Sequence, residues 1–133
     1  MGIPLTPLAR ELLEGKNFAH VATLMKDGSP QVTVVWIDVE GDRILINTAD
    51  HRAKVRNLRR DPRVAISITD QDQPERASFI RGRVTEITAE GADDHSAKMG
   101  HKYYGPDSNA HLSFEGPRLI IYIEAEHIRE MGR

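Results

Sequence analysis

Short polar turns follow one another closely in the first half of the chain, and they limit what it can fold into. The segments DGSP (27–30) and EGD (40–42) are rich in residues that favour tight turns. They flank QVTVVWIDV (31–39), whose β-branched residues are typical of a strand. The outer segments, FAHVATLMK (18–26) and RILINT (43–48), also have strand patterns. Because connections this short join antiparallel neighbours, we expect a three-stranded antiparallel meander here.

The rest of the chain predicts three more strands and two or three short helices. Thr6 and Pro7 are typical of a helix N-cap and first turn, and Gly15 can end that helix. Gly82 lies inside a long strand pattern and predicts a bulge or bend. The further predictions are a helix over about 51–60 that Asp50 caps and Asp61-Pro62 ends, strands over 63–69, 77–88 and 118–131, a helical segment over 91–105 and a loop over 106–117. We therefore expect one domain over residues 1–133, mainly β with short helices (α+β), folded as a small β-barrel.

The stretch 50-DHRAKVRNLRRDPRV-64 concentrates positive charge. It holds six of the chain's 18 Lys and Arg residues, although the net charge of the protein is −2. Two interpretations stay open, a basic helix face in solvent or a site for an anion. A helix N-terminus favours anions through its free N–H groups and its dipole, and Arg52 and Lys54 would lie there, beside the Thr48 hydroxyl. These groups suit one phosphate. The later arginines either extend the positive field towards a longer anionic tail or face water: Arg56, Arg59, Arg60 and Arg63.

The composition argues against several classes of protein. The absence of cysteine excludes disulfides and thiolate sites and is compatible with a reducing cytoplasm, where we expect this protein to act. No segment approaches the ~18 apolar residues of a membrane span, and MGIPLTPLARELLEG lacks a signal-peptide core. We expect no nucleic-acid partner, because none of the three Phe, three Tyr and one Trp lies in the basic stretch. Nor do we expect a metal site, since the six histidines, at positions 20, 51, 95, 101, 111 and 127, show no metal-ligand spacing.

Several motifs together resemble one family. They are the strands 31-QVTVVWIDV-39 and 43-RILINT-48, the run 52-RAKVRNLRRDPRV-64 with its R-x-K-x-R-N-L-x-x-D-P pattern, the G-x-P before the second strand, and 81-RGRV-84. This combination is similar to the pyridoxamine-phosphate-oxidase-like superfamily of flavin and deazaflavin oxidoreductases, which are FMN-binding-like split β-barrels. The closest likeness is to the branch of small proteins that use coenzyme F420, and it covers nearly the whole chain.

The resemblance implies positions for a cofactor site. Arg52 and Lys54 match the basic pair that holds the cofactor phosphate, with Thr48 and Ala49 beside it and Asn57 close by on the helix. The strand that borders the isoalloxazine-like ring corresponds to residues 31–36, from which we select four residues, and another strand that lines the site contributes two more: Gln31, Thr33, Val35 and Trp36, then Ser78 and Arg81. Members of the family are homodimers with the ring pocket at the interface, so the resemblance implies a homodimer.

The resemblance leaves the cofactor open between F420 and FMN, because both carry a ribityl phosphate. F420 adds a tail of several carboxylates that the later arginines would suit, and the likeness to the F420 branch favours it. We therefore expect an F420H2-dependent reductase that transfers a hydride from the reduced deazaflavin to a small or medium unsaturated organic acceptor. The alternatives are an FMN-binding oxidoreductase of the same superfamily and a non-catalytic F420 carrier.

Three aromatic residues each allow two interpretations. Trp36, the single tryptophan, is either a barrel-core residue or a wall for the ring or the substrate. Tyr103 and Tyr104 either pack or donate a proton. No catalytic residue is assigned, because in this chemistry the cofactor carries the reaction and the protein orients it.

Overall fold

The computed structural model describes residues 2–109, 112 and 116–132, and within them the chain forms seven strands and three helices. In chain order these are α1 (Pro7–Glu14), β1 (Ala19–Leu24), β2 (Pro30–Val35), β3 (Asp38–Glu40), β4 (Arg43–Ala49), α2 (Ala53–Arg60), β5 (Arg63–Thr69), β6 (Ala77–Thr88), α3 (Ala92–Tyr104) and β7 (Arg118–Met131). The mainly β prediction with short helices is therefore confirmed. The loop predicted over 106–117 is described in part, and His111 lies outside the described residues.

All seven strands form one antiparallel sheet in the order β2-β1-β5-β6-β7-β4-β3. The prediction of a three-stranded meander is wrong, because the segment 31–39 divides at Trp36 and Ile37. β2 pairs with β1 and β3 pairs with β4, which places the two halves at opposite edges of the sheet. Only three Cα steps separate Val35 from Asp38, so these edges lie within about 11 Å of each other. The sheet is therefore curled into a barrel that stays open between β2 and β3.

Side chains of α3 explain why the strand divides there. The Ile37 N–H donates to the Tyr103 hydroxyl at 3.0 Å, and the Ile37 carbonyl accepts from the Lys102 ammonium at 2.6 Å. Both backbone groups of Ile37 are thus satisfied by a helix that comes much later in the chain. A buried backbone group needs a partner, and here the partner is a side chain instead of a neighbouring strand.

Gly82 forms the bend that its position in β6 predicts. The register between β6 and β7 shifts between Arg81 and Gly82. A Cβ atom on Gly82 would lie 2.3 Å from the Glu124 carbonyl oxygen, closer than any side chain can approach. The missing side chain therefore lets β7 cross close to β6 while the sheet curls.

Helix α1 closes one end of the barrel. Thr6 caps it by accepting a hydrogen bond from the Ala9 N–H at 3.1 Å, and Pro7 opens the first turn, as the sequence predicts. Leu12 and Leu13 are fully buried among core residues from both halves of the sheet. Gly15 ends the helix, with its N–H bonded to the Glu11 carbonyl. A smaller apolar cluster lies under α3 and consists of Leu45, Ala92, Ile120 and Tyr122.

Helix α2 begins at Ala53, and the prediction that Asp50 caps it is wrong. The N-cap is Arg52, which makes no side-chain capping bond, while the Asp50 N–H donates to the Pro117 carbonyl at 3.0 Å. The loop after β4 is therefore bonded to the residue that directly precedes β7, and the helix starts two residues later than predicted. The predicted stop at Asp61 is confirmed, since its N–H closes the last turn on Asn57.

Candidate functional site

A cavity of about 540 Å³ opens where the inner side of β2 faces the end of β4. The N-terminus of α2 and the first residue of β7 complete its wall. Its lining residues are Phe18, Thr33, Val34, Val35, Trp36, Asn47, Thr48, Ala49, Arg52, Lys54 and Arg118. Seven of these are positions that the resemblance selects: Thr33, Val35, Trp36, Thr48, Ala49, Arg52 and Lys54. The fold thus brings together two segments, 33–36 and 48–54, that lie apart along the sequence.

Three cations meet at one end of the cavity. Arg52 and Lys54 come from the start of α2, and Arg118 comes from the start of β7, directly opposite Ala49 in the strand register. Lys54 is only 9% exposed, and its ammonium forms no hydrogen bond or ion pair with another described residue. Burial lowers the pKa of Lys54, and the charges of Arg52 and Arg118 lower it further. A bound anion would relieve this mutual repulsion.

The start of α2 adds its own attraction for an anion. The first turn contains no acidic residue, and Arg52 caps it without a side-chain acceptor. The free N–H groups of a helix N-terminus carry partial positive charge, and anions are favoured there. Arg118 is also affected, since burial and the charge of Arg52 lower its pKa while Asp93 partly opposes them. The cationic end therefore suits a phosphate group in its charged form.

Two aromatic side chains, Trp36 and Phe18, line the cavity, and two tyrosines pack against them. The ring of Trp36 stacks on Tyr103 with centroids 5.1 Å apart, and Tyr104 meets Trp36 edge-on at 5.2 Å. The Tyr103 hydroxyl donates to the Asn17 carbonyl at 2.6 Å and is buried, and this burial raises its pKa to about 12. Tyr103 therefore packs and holds Trp36 in place. Phe18 completes the group, 5.4 Å from Tyr103.

Thr33 carries a buried polar atom that other described residues do not satisfy. Its Oγ1 has no hydrogen-bond partner among them, although Thr33 lines the cavity. An unpaired buried hydroxyl costs free energy, and a ligand that exchanges a hydrogen bond with it would recover that cost. Cations, an unpaired hydroxyl and two aromatic side chains thus line one cavity, and this donor set suits an anionic ligand that carries a planar ring.

Four positions that the resemblance selects do not line the cavity. Asn57 donates to Thr23 Oγ1 at 3.0 Å and contacts Gln31 Oε1 at 3.4 Å, so both side chains attach α2 to β1 and β2. Ser78 is fully buried, and Arg81 is exposed on β6. Cofactor contact at these four positions stays a prediction.

Four lining residues are not predicted from the sequence: Phe18, Val34, Asn47 and Arg118. Asn47 directly precedes the selected Thr48, and Val34 lies between two selected positions, so both could have been added by adjacency. Arg118 begins a strand after Gly116-Pro117, which is a recognisable position, but its proximity to Arg52 depends on the pairing of β7 with β4.

The later arginines of the basic stretch mostly have local partners. Arg63 forms an ion pair with Asp61 at 2.7 Å. Arg60 donates to the Leu24 carbonyl at 2.7 Å, and Arg56 donates to the His51 carbonyl at 2.8 Å. Arg59 forms no hydrogen bond or ion pair with another described residue. The basic stretch thus has two parts. Its first two basic residues, Arg52 and Lys54, line the cavity, and most of the later arginines bond to groups in or next to α2.

A family model described as pyridoxamine 5'-phosphate oxidase matches residues 5–132. The chain belongs to the pyridoxamine 5'-phosphate oxidase family. Among solved structures, an F420 reductase is similar at 29% identity, with 90% of this chain and 94% of that chain covered and a TM-score of 0.77. A conserved hypothetical protein from Mycobacterium tuberculosis has 24% identity, 98% and 86% coverage and a TM-score of 0.78. HupZ from Group A Streptococcus has 19% identity, 95% and 93% coverage and a TM-score of 0.69. The last two show the shared split-barrel fold of the family.

Two further properties concern only the described part of the chain. None of its helices is long and apolar enough to cross a membrane. It also contains no group of three or more His, Asp or Glu side chains that could hold a metal ion.

Proposed function

We propose that this protein is an F420H2-dependent reductase that binds the deazaflavin in the cavity between β2 and β4. The observation that carries the proposal is the cavity itself, which three converging cations and the aromatic side chains of Trp36 and Phe18 line together. The 29% identity to an F420 reductase over 90% of the chain supports the choice of cofactor. When bound, the cofactor supplies the hydride for an unsaturated organic acceptor.

The residues of the chain would bind and orient. Arg52 and Lys54 hold the phosphate, Arg as a planar fork and Lys as a point charge. The Thr33 hydroxyl, which has no partner among the described residues, forms a hydrogen bond with the ligand. Trp36, which stacks on Tyr103, provides a rigid aromatic surface for the ring of the cofactor. Because Tyr103 locks Trp36 from behind, that face is ready before the ligand arrives, and preorganisation lowers the cost of binding.

The outward face of α2 supports F420 over FMN. Arg52, Arg56 and Arg59 follow the i, i+4, i+7 spacing of one helix face, so positive charge continues from the cavity along the helix. A tail of carboxylates could follow this line, whereas FMN ends at its phosphate. FMN binding remains the second candidate, since the family is described by a pyridoxamine 5'-phosphate oxidase. An F420 carrier without turnover is the third.

We also propose that a second copy of the chain covers the outer face of β2. This strand is an edge of the sheet, and its Val32 and Val34 side chains are 63% and 59% exposed. Natural edge strands are usually protected by charge, proline or cover, and an apolar edge marks an interaction surface. Val34 also borders the cavity, so a dimer formed here would place the site at or beside its interface.

Titration of the purified protein with F420 and separately with FMN tests the proposal. Tighter binding of F420, followed by reoxidation of F420H2 with an unsaturated acceptor, is expected. The variant R52A/K54A should lose most of the affinity for either cofactor, while the control K16A/K26A, which removes two exposed lysines elsewhere, should keep it. Unchanged affinity in R52A/K54A would contradict the phosphate assignment. Preference for FMN would move the protein to the second candidate, and binding without turnover would move it to the third.

A further inference from the structure

Asn47 lies at the cationic end of the cavity, and both heteroatoms of its side-chain amide form hydrogen bonds. Its Oδ1 accepts from the Arg118 Nε–H at 2.9 Å. Its Nδ2 donates to the Ala92 carbonyl at 2.8 Å and lies 3.2 Å from His95 Nδ1. The orientation of the amide follows from chemistry, because Arg118 can only donate and the Ala92 carbonyl can only accept.

This orientation also determines the tautomer of His95. Since Asn47 Nδ2 donates to His95 Nδ1, that nitrogen must be an acceptor, and the proton lies on Nε2. His95 Nε2 is 3.0 Å from Asp38 Oδ2, to which it therefore donates. Asp38 also accepts from the Lys98 ammonium at 3.1 Å. Burial alone would raise the pKa of Asp38, but the bonds from His95, the Val39 N–H and Lys98 outweigh it and hold that pKa well below its usual range.

The result is a directed chain of hydrogen bonds between four elements. It runs from Arg118 on β7 through Asn47 on β4 and His95 on α3 to Asp38 on β3. The register places Asp38 opposite Leu45, two residues from Asn47, and places Arg118 opposite Ala49, so these side chains share one face of the sheet. His95 lies over this face and is buried.

This series of hydrogen bonds is important because Arg118 lies close to two other positive charges, Arg52 and Lys54. The charge of Arg52 lowers the pKa of Arg118, and the charge of Arg118 lowers the pKa of Lys54. These cations therefore repel one another. Asp93 attracts Arg118 as well. Without an anchor, the guanidinium would turn away from the other two cations. The bond to Asn47 opposes that movement, provided that His95 keeps the amide in its orientation.

We propose that His95 is a positioning residue for Arg118, and that through Asn47 it keeps the third cation aimed at the phosphate-binding end of the cavity. This inference rests on the proposed function, because it assumes that the cationic end binds the cofactor phosphate. Asp38 accepts from His95 Nε2, His95 together with the Ala92 carbonyl holds the amide of Asn47, and Asn47 holds the guanidinium. In this proposal, none of these four hydrogen-bonded residues contacts the reacting atoms.

Two conservative variants separate this role from general support of the fold. In His95→Asn, the amide oxygen occupies the place of Nδ1 and keeps the acceptor towards Asn47. In His95→Gln, the terminal amide reaches the place of Nε2 and keeps the donor towards Asp38, but the acceptor towards Asn47 is lost. A merely structural role would weaken binding in proportion to lost thermal stability in both variants.

The experiment measures F420 and FMN affinity in wild type, H95Q, H95N, R118A and H95Q/R118A, together with the melting temperature of each. H95Q is expected to weaken cofactor binding by about 2- to 10-fold, which corresponds to one hydrogen bond, and H95N to retain most of the affinity. In the R118A background, H95Q should cause no further loss, because the group it positions is gone. An equal loss from H95Q in both backgrounds would overturn the inference.

The ¹⁵N resonance of the Arg118 side-chain Nε–H, assigned by its absence in R118A, gives a readout without any cofactor. In H95Q this resonance should shift and its proton should exchange faster, while in H95N it should stay close to wild type. An unchanged resonance in H95Q would overturn the inference. If the wild type binds neither cofactor, the proposed function fails, yet the resonance still decides whether His95 positions Arg118.

Discussion

The indole of Trp36 lies on the phenol ring of Tyr103, with centroids 5.1 Å apart and planes 10° from parallel. Tyr103 in turn is held by hydrogen bonds to the backbone of Asn17 and of Ile37. One aromatic pair thus connects the cavity wall to the point at which the sheet divides. Tyr103 therefore contributes both to the position of Trp36 in the cavity wall and to the division of the strand at Ile37.

Replacement of Tyr103 by Phe is expected to destabilise the fold while keeping the ring stack. The change leaves the buried Ile37 N–H without its hydroxyl partner, and it also removes the bond to the Asn17 carbonyl. An unsatisfied buried group costs about 1–3 kcal/mol. Urea unfolding measures the loss, with Tyr104→Phe as the matched control because Tyr104 is exposed. Equal free energies of unfolding for Y103F and wild type would show that these bonds do not stabilise the fold.

Lys102 should make stability depend on pH in the alkaline range. Burial lowers its pKa from 10.5 to about 8, and the charge of Lys98 adds to this, while Asp38 and Glu14 partly oppose it. Between about pH 8 and pH 10.5 the unfolded chain therefore binds more protons than the native protein, so this group increases stability as pH rises. Tyr103 acts in the opposite direction at higher pH, since its pKa rises from 10.0 to about 12. The cleanest window is therefore from about pH 8 to about pH 10.

The comparison of wild type with Lys102→Gln isolates this contribution. The difference in free energy of unfolding, wild type minus variant, should increase from about pH 8 to about pH 10. Urea unfolding at several pH values gives that difference, and Lys16→Gln serves as the exposed control. A difference that falls over this window would reverse the sign of the assigned pKa shift.

Gly82→Ala should be strongly destabilising for its size. The added Cβ would lie 2.3 Å from the Glu124 carbonyl oxygen, which is backbone and cannot rotate away. Overpacking of this kind costs about 1–3 kcal/mol. Thermal unfolding measures it, and Thr85→Ala on the same strand is the control, because Thr85 is exposed. A melting temperature equal to wild type would mean that β6 and β7 separate more easily than the register implies.

Arg56 and Arg59 should distinguish the two cofactors. If the carboxylate tail of F420 follows this face of α2, R56A/R59A weakens F420 binding by several-fold and more at low salt, while FMN affinity changes little. Fluorescence titration at two ionic strengths measures both. Arg63→Ala is the control, since Arg63 is already paired with Asp61. Equal losses for both cofactors would place the tail elsewhere.

Val34→Glu tests the proposed dimer. A buried charge without a partner is costly, so a carboxylate on the outer face of β2 should shift the protein towards monomer. Sedimentation velocity gives the mass, and Thr85→Glu provides a control at an exposed position on another strand. If V34E and wild type sediment alike, the partner does not cover this face.

Local chemistry made much of the fold predictable. Thr6 and Pro7 start a helix, Gly15 ends it, and Gly82 marks a bend, because each acts through its own backbone or a neighbour within a few residues. The proximity of Arg52 and Lys54 was predictable for the same reason, since a strand that leads into a basic helix start places both side chains together. Their role in binding a cofactor stays a prediction.

The division of residues 31–39 could not be predicted from local preference. Trp36 and Ile37 have strand propensity, and nothing close to them in sequence ends the strand. Tyr103 and Lys102 end it by bonding the Ile37 backbone from across the fold.

Local patterns along the chain were enough to predict most of the strands, the helix boundaries within a few residues and the basic pair at the start of α2. These depend on interactions over short distances along the chain. The tertiary structure alone decided which strand edges lie together, that Arg118 joins Arg52 and Lys54, and that His95 reaches both Asp38 and Asn47. Those contacts follow from strand register and helix packing, and a pattern along one chain contains no measure of the distance between its remote parts.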